Sequence, residues 1–193
     1  VTHQPLIAIN FRVPKLQKLD DTMPFALDIL SDILAGNASS RFDKNLVRGK
    51  QTALSAGTHY DIISREMPLF SVIAMPAEGV KADTLITHLR QEIKDIADHG
   101  VSEEELQRVK TQAAVNEIYA KDSMSSQASM MGRLEARGFQ YTDEQEIHRR
   151  LQAVSAQEVQ AAARMLTDER MSTVIIEPQK PAAAPSKKAA KRR

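Results

Sequence analysis

The stretch Leu69–Met75, which reads LFSVIAM, is apolar on both sides of an extended chain. One side would carry Phe70, Val72 and Ala74, and the other Leu69, Ile73 and Met75. A strand of this kind is typical of the centre of a sheet that is covered on both faces. We therefore expect Leu69–Met75 to be a central strand with two buried faces.

The neighbouring runs of sequence predict the other strands of this sheet. Residues 53–63 form a second β-rich run, and the charged, proline-containing link 64–68 makes a hairpin with Leu69–Met75 the simplest pairing. Near the start of the chain, apolar residues alternate at Ile7, Ile9, Phe11 and Val13, and Pro14 ends that strand. Residues 171–177 predict a last strand, with a buried run at positions 174–176.

Amphipathic segments that predict helices fill the rest of the chain. They cover about 22–35, a short stretch that ends near 48, and then 85–99, 102–122, 125–136, 144–151 and 155–166. The clearest start is Ser102, because Glu105 completes a capping box and Val101 with Leu106 is spaced as a hydrophobic staple. Strands and helices in this order predict an α+β fold, in which a mostly antiparallel sheet packs against several helices.

Composition limits the kinds of protein that this chain can be. A chain of 193 residues fits one ordinary domain, and the absence of cysteine excludes disulfides, thiolate nucleophiles and zinc fingers. No apolar run is long enough for a transmembrane segment. The chain begins with Val1 and shows no targeting segment after it, so we expect it to be part of a longer protein.

Charge is distributed unevenly along the chain. Six of the 26 basic residues follow Glu177, which leaves 20 basic against 25 acidic residues and a net charge of −5 in the body. An acidic body argues against nucleic acid as its partner. We expect a folded domain over residues 1–178 and a disordered basic tail over 179–193. A tail that binds an anionic membrane or nucleic acid stays open as a minor alternative role.

Motifs for catalysis or metal binding are absent from the sequence. The five histidines include no pair with metal-ligand spacing, and no nucleophile elbow, P-loop or dinucleotide fingerprint occurs. His88 and Glu92 lie one helical turn apart, and we expect them to face solvent as an ordinary pair. The sequence therefore predicts no catalytic residue and no metal ligand in this chain.

A resemblance to a known family rests on landmarks that occur in a fixed order. They are Ser39–Phe42, Leu46–Arg48, Gly100–Leu106, Val154–Ser155 with Glu158–Val159, and Ile175–Pro178. In this order they resemble the C-terminal half-domain of pitrilysin-type zinc peptidases, the family of insulinase and mitochondrial processing peptidase, and a bacterial source is expected. The resemblance covers about residues 6–178.

The resemblance implies a fold and an activity for the complete protein. It implies a clamshell of two α+β halves, in which the N-terminal half holds zinc through an inverted H-x-x-E-H motif that this chain lacks. This chain would then be inactive alone, and would close the chamber and hold a peptide substrate as part of a zinc metalloendopeptidase. Its expected partner is the zinc-binding half or a partner subunit, a homodimer is a further option, and the bacterial periplasm is favoured over the cytoplasm.

The resemblance also implies candidate substrate-binding residues. Relatives supply an arginine and, seven residues later, a tyrosine that orient the substrate or stabilise the developing oxyanion. By register the arginine matches Arg48, whereas the tyrosine position is Ser55 and the nearest tyrosine is Tyr60. Arg48 has an alternative role as a helix-end arginine that neutralises carbonyl groups. The missing tyrosine favours a second hypothesis, a non-catalytic regulatory or scaffold subunit of the same fold.

Overall fold

A computed structural model describes residues 4–178, and the predicted disordered tail lies outside the described residues. The strands are β1 (Leu6–Arg12), β2 (Ala53–His59), β3 (Leu69–Pro76) and β4 (Met171–Ile176). The α-helices are α1 (Thr22–Ala35), α2 (Ala82–His99), α3 (Glu103–Lys121), α4 (Met124–Glu135), α5 (Glu144–Ala153) and α6 (Ala156–Met165). A π-helix covers Asp43–Gly49, and short 3-10 helices cover Tyr141–Asp143 and Asp168–Arg170. The predicted α+β class is confirmed.

The four strands form one antiparallel sheet in the order β2-β3-β1-β4. The predicted hairpin is confirmed, because β2 pairs with β3. In the centre, Ile9 of β1 lies between Val72 of β3 and Thr173 of β4. Within residues 4–178, β2 and β4 are therefore the two edge strands.

The core lies between one face of the sheet and the helices. The sheet contributes the inward residues Ile7, Ile9, Phe11, Phe70, Val72 and Ala74, all of which are buried. Helix α1 is buried around most of its surface, because it packs against β2, α3, α5 and α6. Burial of this large apolar surface is the main force that holds the two layers together.

The opposite face of the sheet is open within the described part of the chain. Ile73 is 45% exposed and Val174 is 51% exposed, and Leu69 and Ile176 are exposed beside them. The expectation that β3 is buried on both faces is therefore wrong, and so is the expectation of a buried run in β4. An apolar sequence shows that a strand can be covered twice, but the helices described here cover only one side.

Arg41 joins the segment after α1 to the junction between α2 and α3. Its guanidinium contacts the Glu105 carboxylate at 2.9 and 3.0 Å and the Asp95 carboxylate at 2.9 Å. It also donates to the Gly100 carbonyl oxygen at 3.3 Å. The Arg41 and Glu105 side chains are largely buried, so this pair holds the π-helix region against the rest of the domain.

The one-sided sheet predicts different costs for two isoleucine substitutions. Ile9→Ala removes a fully buried side chain and should lower the free energy of unfolding by about 2–5 kcal/mol. Ile73→Ala on the neighbouring strand is the matched control and should cost less than about 1 kcal/mol, because Ile73 is already half exposed. Urea unfolding of the 193-residue chain measures both, and equal losses would contradict burial on one face only.

Candidate functional site

Arg48 lies in the last turn of the π-helix, immediately before the segment that leads into β2. Its Nε donates to the Asp43 carboxylate at 2.8 Å, and its Nη2 donates to the Ala38 carbonyl oxygen. The side chain is nonetheless 60% exposed. The guanidinium is thus held in place by Asp43 and Ala38 while it faces solvent.

The π-helix depends on a close backbone approach at Gly49. A Cβ atom at this position would lie 2.9 Å from the Lys44 carbonyl oxygen, which is closer than side chains tolerate. At the end of the same helix the Lys50 amide donates to the Asn45 carbonyl at 2.8 Å, five residues back. π-Helical turns are rare and occur frequently at functional sites.

Two further departures from regular backbone geometry lie immediately after the π-helix in the chain. Gln51 has a φ of 52°, in the left-handed region that non-glycine residues seldom occupy. The pairing of β2 with β3 then shifts register between Ala53 and Ser55, as in a β-bulge. We refer to residues 43–55 as the Arg48 segment. Backbone irregularities of these kinds concentrate where a protein positions side chains for binding or chemistry.

Helix α2 anchors the Arg48 segment through polar side chains. Glu92 accepts a hydrogen bond from Asn45 Nδ2 at 2.6 Å and lies 3.9 Å from Lys50 Nζ. One turn earlier, His88 Nδ1 lies 3.1 Å from Thr52 Oγ1. The expectation that His88 and Glu92 face solvent is wrong, because Glu92 is buried and both side chains are directed at this segment.

The structure separates the three candidate substrate-binding residues. Ser55 is exposed on β2, in the same segment as Arg48. Tyr60 follows the other end of β2, is only 7% exposed and donates its hydroxyl to the Pro14 carbonyl at 3.0 Å. Its ring packs near Phe70, with 6.3 Å between the ring centroids. Arg48 and Ser55 are therefore brought into one exposed segment, whereas Tyr60 is in the core.

Strand β2 has an unpaired edge within residues 4–178. Because β3 occupies only one side of it, the outward N–H and C=O groups of β2 have no strand partner there. An exposed edge of this kind can accept an added strand through main-chain hydrogen bonds. The Arg48 segment leads directly into this edge.

Carboxylates gather near the far end of β2. Asp28 and Asp32 lie one turn apart on α1, and Ser31 between them donates to Thr58 of β2 at 2.9 Å. Burial raises the pKa of Asp28 to about 7, with repulsion from Asp32 and Asp61 adding to the effect. Burial also raises the pKa of Asp32. Two acids on a helix that is mostly apolar were the sequence signal for this group.

The model of one peptidase family matches more than half of the chain. It describes the peptidase M16 inactive domain and covers residues 1–113. This chain belongs to the M16 peptidase family. The predicted resemblance is confirmed, and the matching part of the family is the domain described as inactive. None of the curated proteins matches the chain.

Solved structures share the fold of this M16 domain. A protease from Helicobacter pylori has a TM-score of 0.83 and 20% identity over 92% of this chain, which spans 42% of that protease. The inactive peptidase domain of a protein classed as a zinc protease from Bordetella parapertussis has a TM-score of 0.82 and 20% identity, with 96% and 97% of the two chains covered. The periplasmic protease PqqL from Escherichia coli has a TM-score of 0.65 and 16% identity over 91% of this chain and 19% of that one.

A metal site in this M16 domain would need several ligands at one point. Over residues 4–178 no group of three or more histidine, aspartate or glutamate side chains is arranged to hold a metal ion. Across the same residues, no helix has the length and apolar character needed to cross a membrane.

The close approach at Gly49 predicts that two glycine substitutions, one in the Arg48 segment and one in α4, change the free energy of unfolding in opposite directions. Gly49→Ala should lower the free energy of unfolding by about 1–3 kcal/mol, because its Cβ would press on the Lys44 carbonyl. Gly132→Ala in the middle of α4 meets nothing within 4 Å and should raise it by about 0.5–1 kcal/mol. Thermal and urea unfolding measure both, and a Gly49→Ala variant as stable as the Gly132→Ala variant would contradict the close approach.

The raised pKa of Asp28 predicts a pH-dependent stability. The folded state favours the protonated carboxyl, so the stabilisation is complete below the unfolded pKa near 3.8 and is lost as the pH rises towards about 7. Asp28→Asn, which stays neutral, should therefore gain on the order of 4 kcal/mol relative to the wild type between pH 4 and pH 8. The exposed Asp20→Asn is the control. A constant difference across this range in urea unfolding would refute the assignment.

Proposed function

We propose that this M16 inactive domain is the substrate-holding, chamber-closing half of a zinc-dependent endopeptidase that cleaves peptides or unfolded segments. The observation that carries the proposal is the unpaired edge of β2, which is preceded directly by the irregular, exposed Arg48 segment. An extended peptide would add to this edge as a further strand. Main-chain hydrogen bonds do not depend on side-chain identity, which suits a range of peptide sequences.

The dimensions of β2 set the length of peptide that can be held. Its seven residues span about 23 Å at the usual rise per residue. A peptide paired along the whole edge would therefore contribute about seven residues. Its end beside Ala53 would lie against the last residues of the Arg48 segment, and the other end near the carboxylates of α1.

Arg48 is the residue proposed to act on the peptide. Asp43 and Ala38 occupy its Nε and Nη2 groups, and Nη1 makes no hydrogen bond within residues 4–178. Among the described residues this leaves both N–H donors of Nη1 free on a guanidinium whose position is already fixed. Such a donor can orient a peptide carbonyl or stabilise the negative charge that develops on it.

Ser55 and Tyr60 are proposed to have different roles. The Ser55 hydroxyl is exposed on β2 and would replace the family tyrosine with a shorter hydrogen-bonding group. Tyr60 already donates to Pro14, so its contribution would be to fix the end of β2. The peptide would then contact Ser55 directly and Tyr60 only through the position of the strand.

The partner in this proposal is the zinc-binding half of the same protease, and zinc would be held there. The Helicobacter pylori protease is more than twice as long as the region it shares with this chain. The exposed apolar side chains on the open sheet face also support a neighbouring half, because single domains seldom leave such patches uncovered. The periplasmic relative supports a periplasmic location, and a homodimer stays a prediction.

A non-catalytic regulatory or scaffold subunit is the second candidate function. The observation that favours it is the burial of Tyr60, which leaves Ser55 as the only candidate for the role of the family tyrosine. In this case the chain would retain the fold and the sheet edge, but would no longer assist the reaction.

The role of Arg48 predicts a large loss of activity on substitution. In the complete protease, Arg48→Ala should lower kcat/KM for a quenched peptide by more than tenfold, because a lost transition-state donor costs about 2–4 kcal/mol. Arg149→Ala is the matched control, since Arg149 is 62% exposed and also pairs with a carboxylate on its own helix. Arg48→Lys should recover part of the activity, because it retains the charge but not the guanidinium geometry.

Zinc content and peptide cleavage, both measured on the complete protein, separate the two candidate functions. About one zinc ion per complete protein, with cleavage that a chelator abolishes, supports the peptidase half. If Arg48→Ala and Arg149→Ala then have equal activity, the role assigned to Arg48 is wrong. If the complete protein has neither zinc nor cleavage, the scaffold function replaces the peptidase function.

A further inference from the structure

A cleft of about 460 Å³ lies at the end of the sheet where β1 and β2 both terminate. Three separate segments each place one basic side chain on it: Lys15 after β1, Arg65 in the link before β3, and Arg137 just after α4. The remaining lining residues are Leu16, Gln17 and Ala136. Three positive charges thus surround a cleft with no carboxylate in its lining.

The side chain of Arg137 indicates that a hydrogen-bond acceptor is missing from this cleft. Its Nη1 atom is buried and has no hydrogen-bond acceptor within residues 4–178. Arg133, one helical turn earlier, has its charge paired with the Asp61 carboxylate at 2.5 Å. Burial of a charged donor without an acceptor is unfavourable. An acceptor is therefore expected at Arg137 that the described residues do not supply.

Two carboxylates on the adjoining segments are already engaged. Asp21 accepts hydrogen bonds from the backbone amides of Gln17 and Lys18, both at 3.0 Å, and Asp61 accepts from Arg133. Lys15 and Arg65 form no ion pair in the part of the chain that the structure describes. Residues 179–193 contain no aspartate or glutamate that could complete the site.

We propose that the cleft between Lys15, Arg65 and Arg137 binds a carboxylate or phosphate group. Guanidinium groups recognise the paired oxygens of these anions through two parallel N–H donors, and the ammonium adds a third direction of contact. Leu16 and Ala136 provide an apolar wall for the group that carries the anion. Free phosphate and the side chain of an acidic peptide offer the same chemistry. The proposal does not depend on the function proposed for β2.

The test compares anions on the 193-residue chain. Millimolar phosphate should raise Tm above its value in chloride of the same ionic strength, because a ligand that binds only the folded state stabilises it. Arg137→Gln and Lys15→Gln should each weaken phosphate binding at least tenfold in calorimetry. Lys81→Gln, which removes an exposed charge at the start of α2, should bind as the wild type does.

Two peptides identify the source of the anion. They are identical except that one carries glutamate where the other carries glutamine. Binding of the glutamate peptide alone, with loss in Arg137→Gln, identifies a peptide carboxylate; binding of phosphate alone, with the same loss, identifies a small anion. Arg137→Lys tests the geometry, since it should fold with its charge retained and still bind more weakly. Phosphate binding as tight as that of the wild type by both Arg137→Gln and Lys15→Gln would overturn the proposal. Loss of binding on deletion of residues 179–193 alone would also overturn it.

Discussion

The contact between Arg41 and Glu105 is the interaction on which the arrangement of the domain depends. These residues lie in two of the sequence landmarks that pointed to the family, Ser39–Phe42 and Gly100–Leu106. The structure joins the two landmarks directly, and Arg41 adds contacts to Asp95 and the Gly100 carbonyl. Because both side chains are largely buried, loss of Arg41 would leave the Glu105 carboxylate without its charge partner, which is far more costly than loss of a surface pair. The Arg48 segment begins immediately after this anchor and inherits its position from it.

Local features of the fold were predictable from the sequence because they depend on neighbouring residues. Ser155 and Glu158 form a complete capping box at the start of α6. At the start of α3, Ser102 accepts from the Glu105 amide as predicted, but the Glu105 carboxylate is bound by Arg41. The helix start was correct and half of the predicted cap was not, because the competing partner lies 64 residues away. A reading of short segments cannot include such a partner.

The Arg48 segment was harder to predict for the same reason. The sequence indicated a short helix that ends near Arg48, but not that it is a π-helix. That form requires Gly49 to approach the Lys44 carbonyl and Glu92 of α2 to bind Asn45, 47 residues away. The exposure of β3 and β4 on one face has a related cause: an apolar pattern records which faces can be buried, whereas the helices available to cover them are a property of the whole fold.

The position of Tyr60 follows from the geometry of a strand. Side chains alternate between the two faces, and Ser55 pairs with Met75 on the open face of the sheet. A residue five positions later has the opposite parity, so Tyr60 lies on the same face as the buried Phe70 and enters the core. An odd offset therefore cannot move the tyrosine of relatives along the strand and keep it on the same face. If this domain assists a reaction, Arg48 and the exposed edge of β2 must do so without a tyrosine beside them.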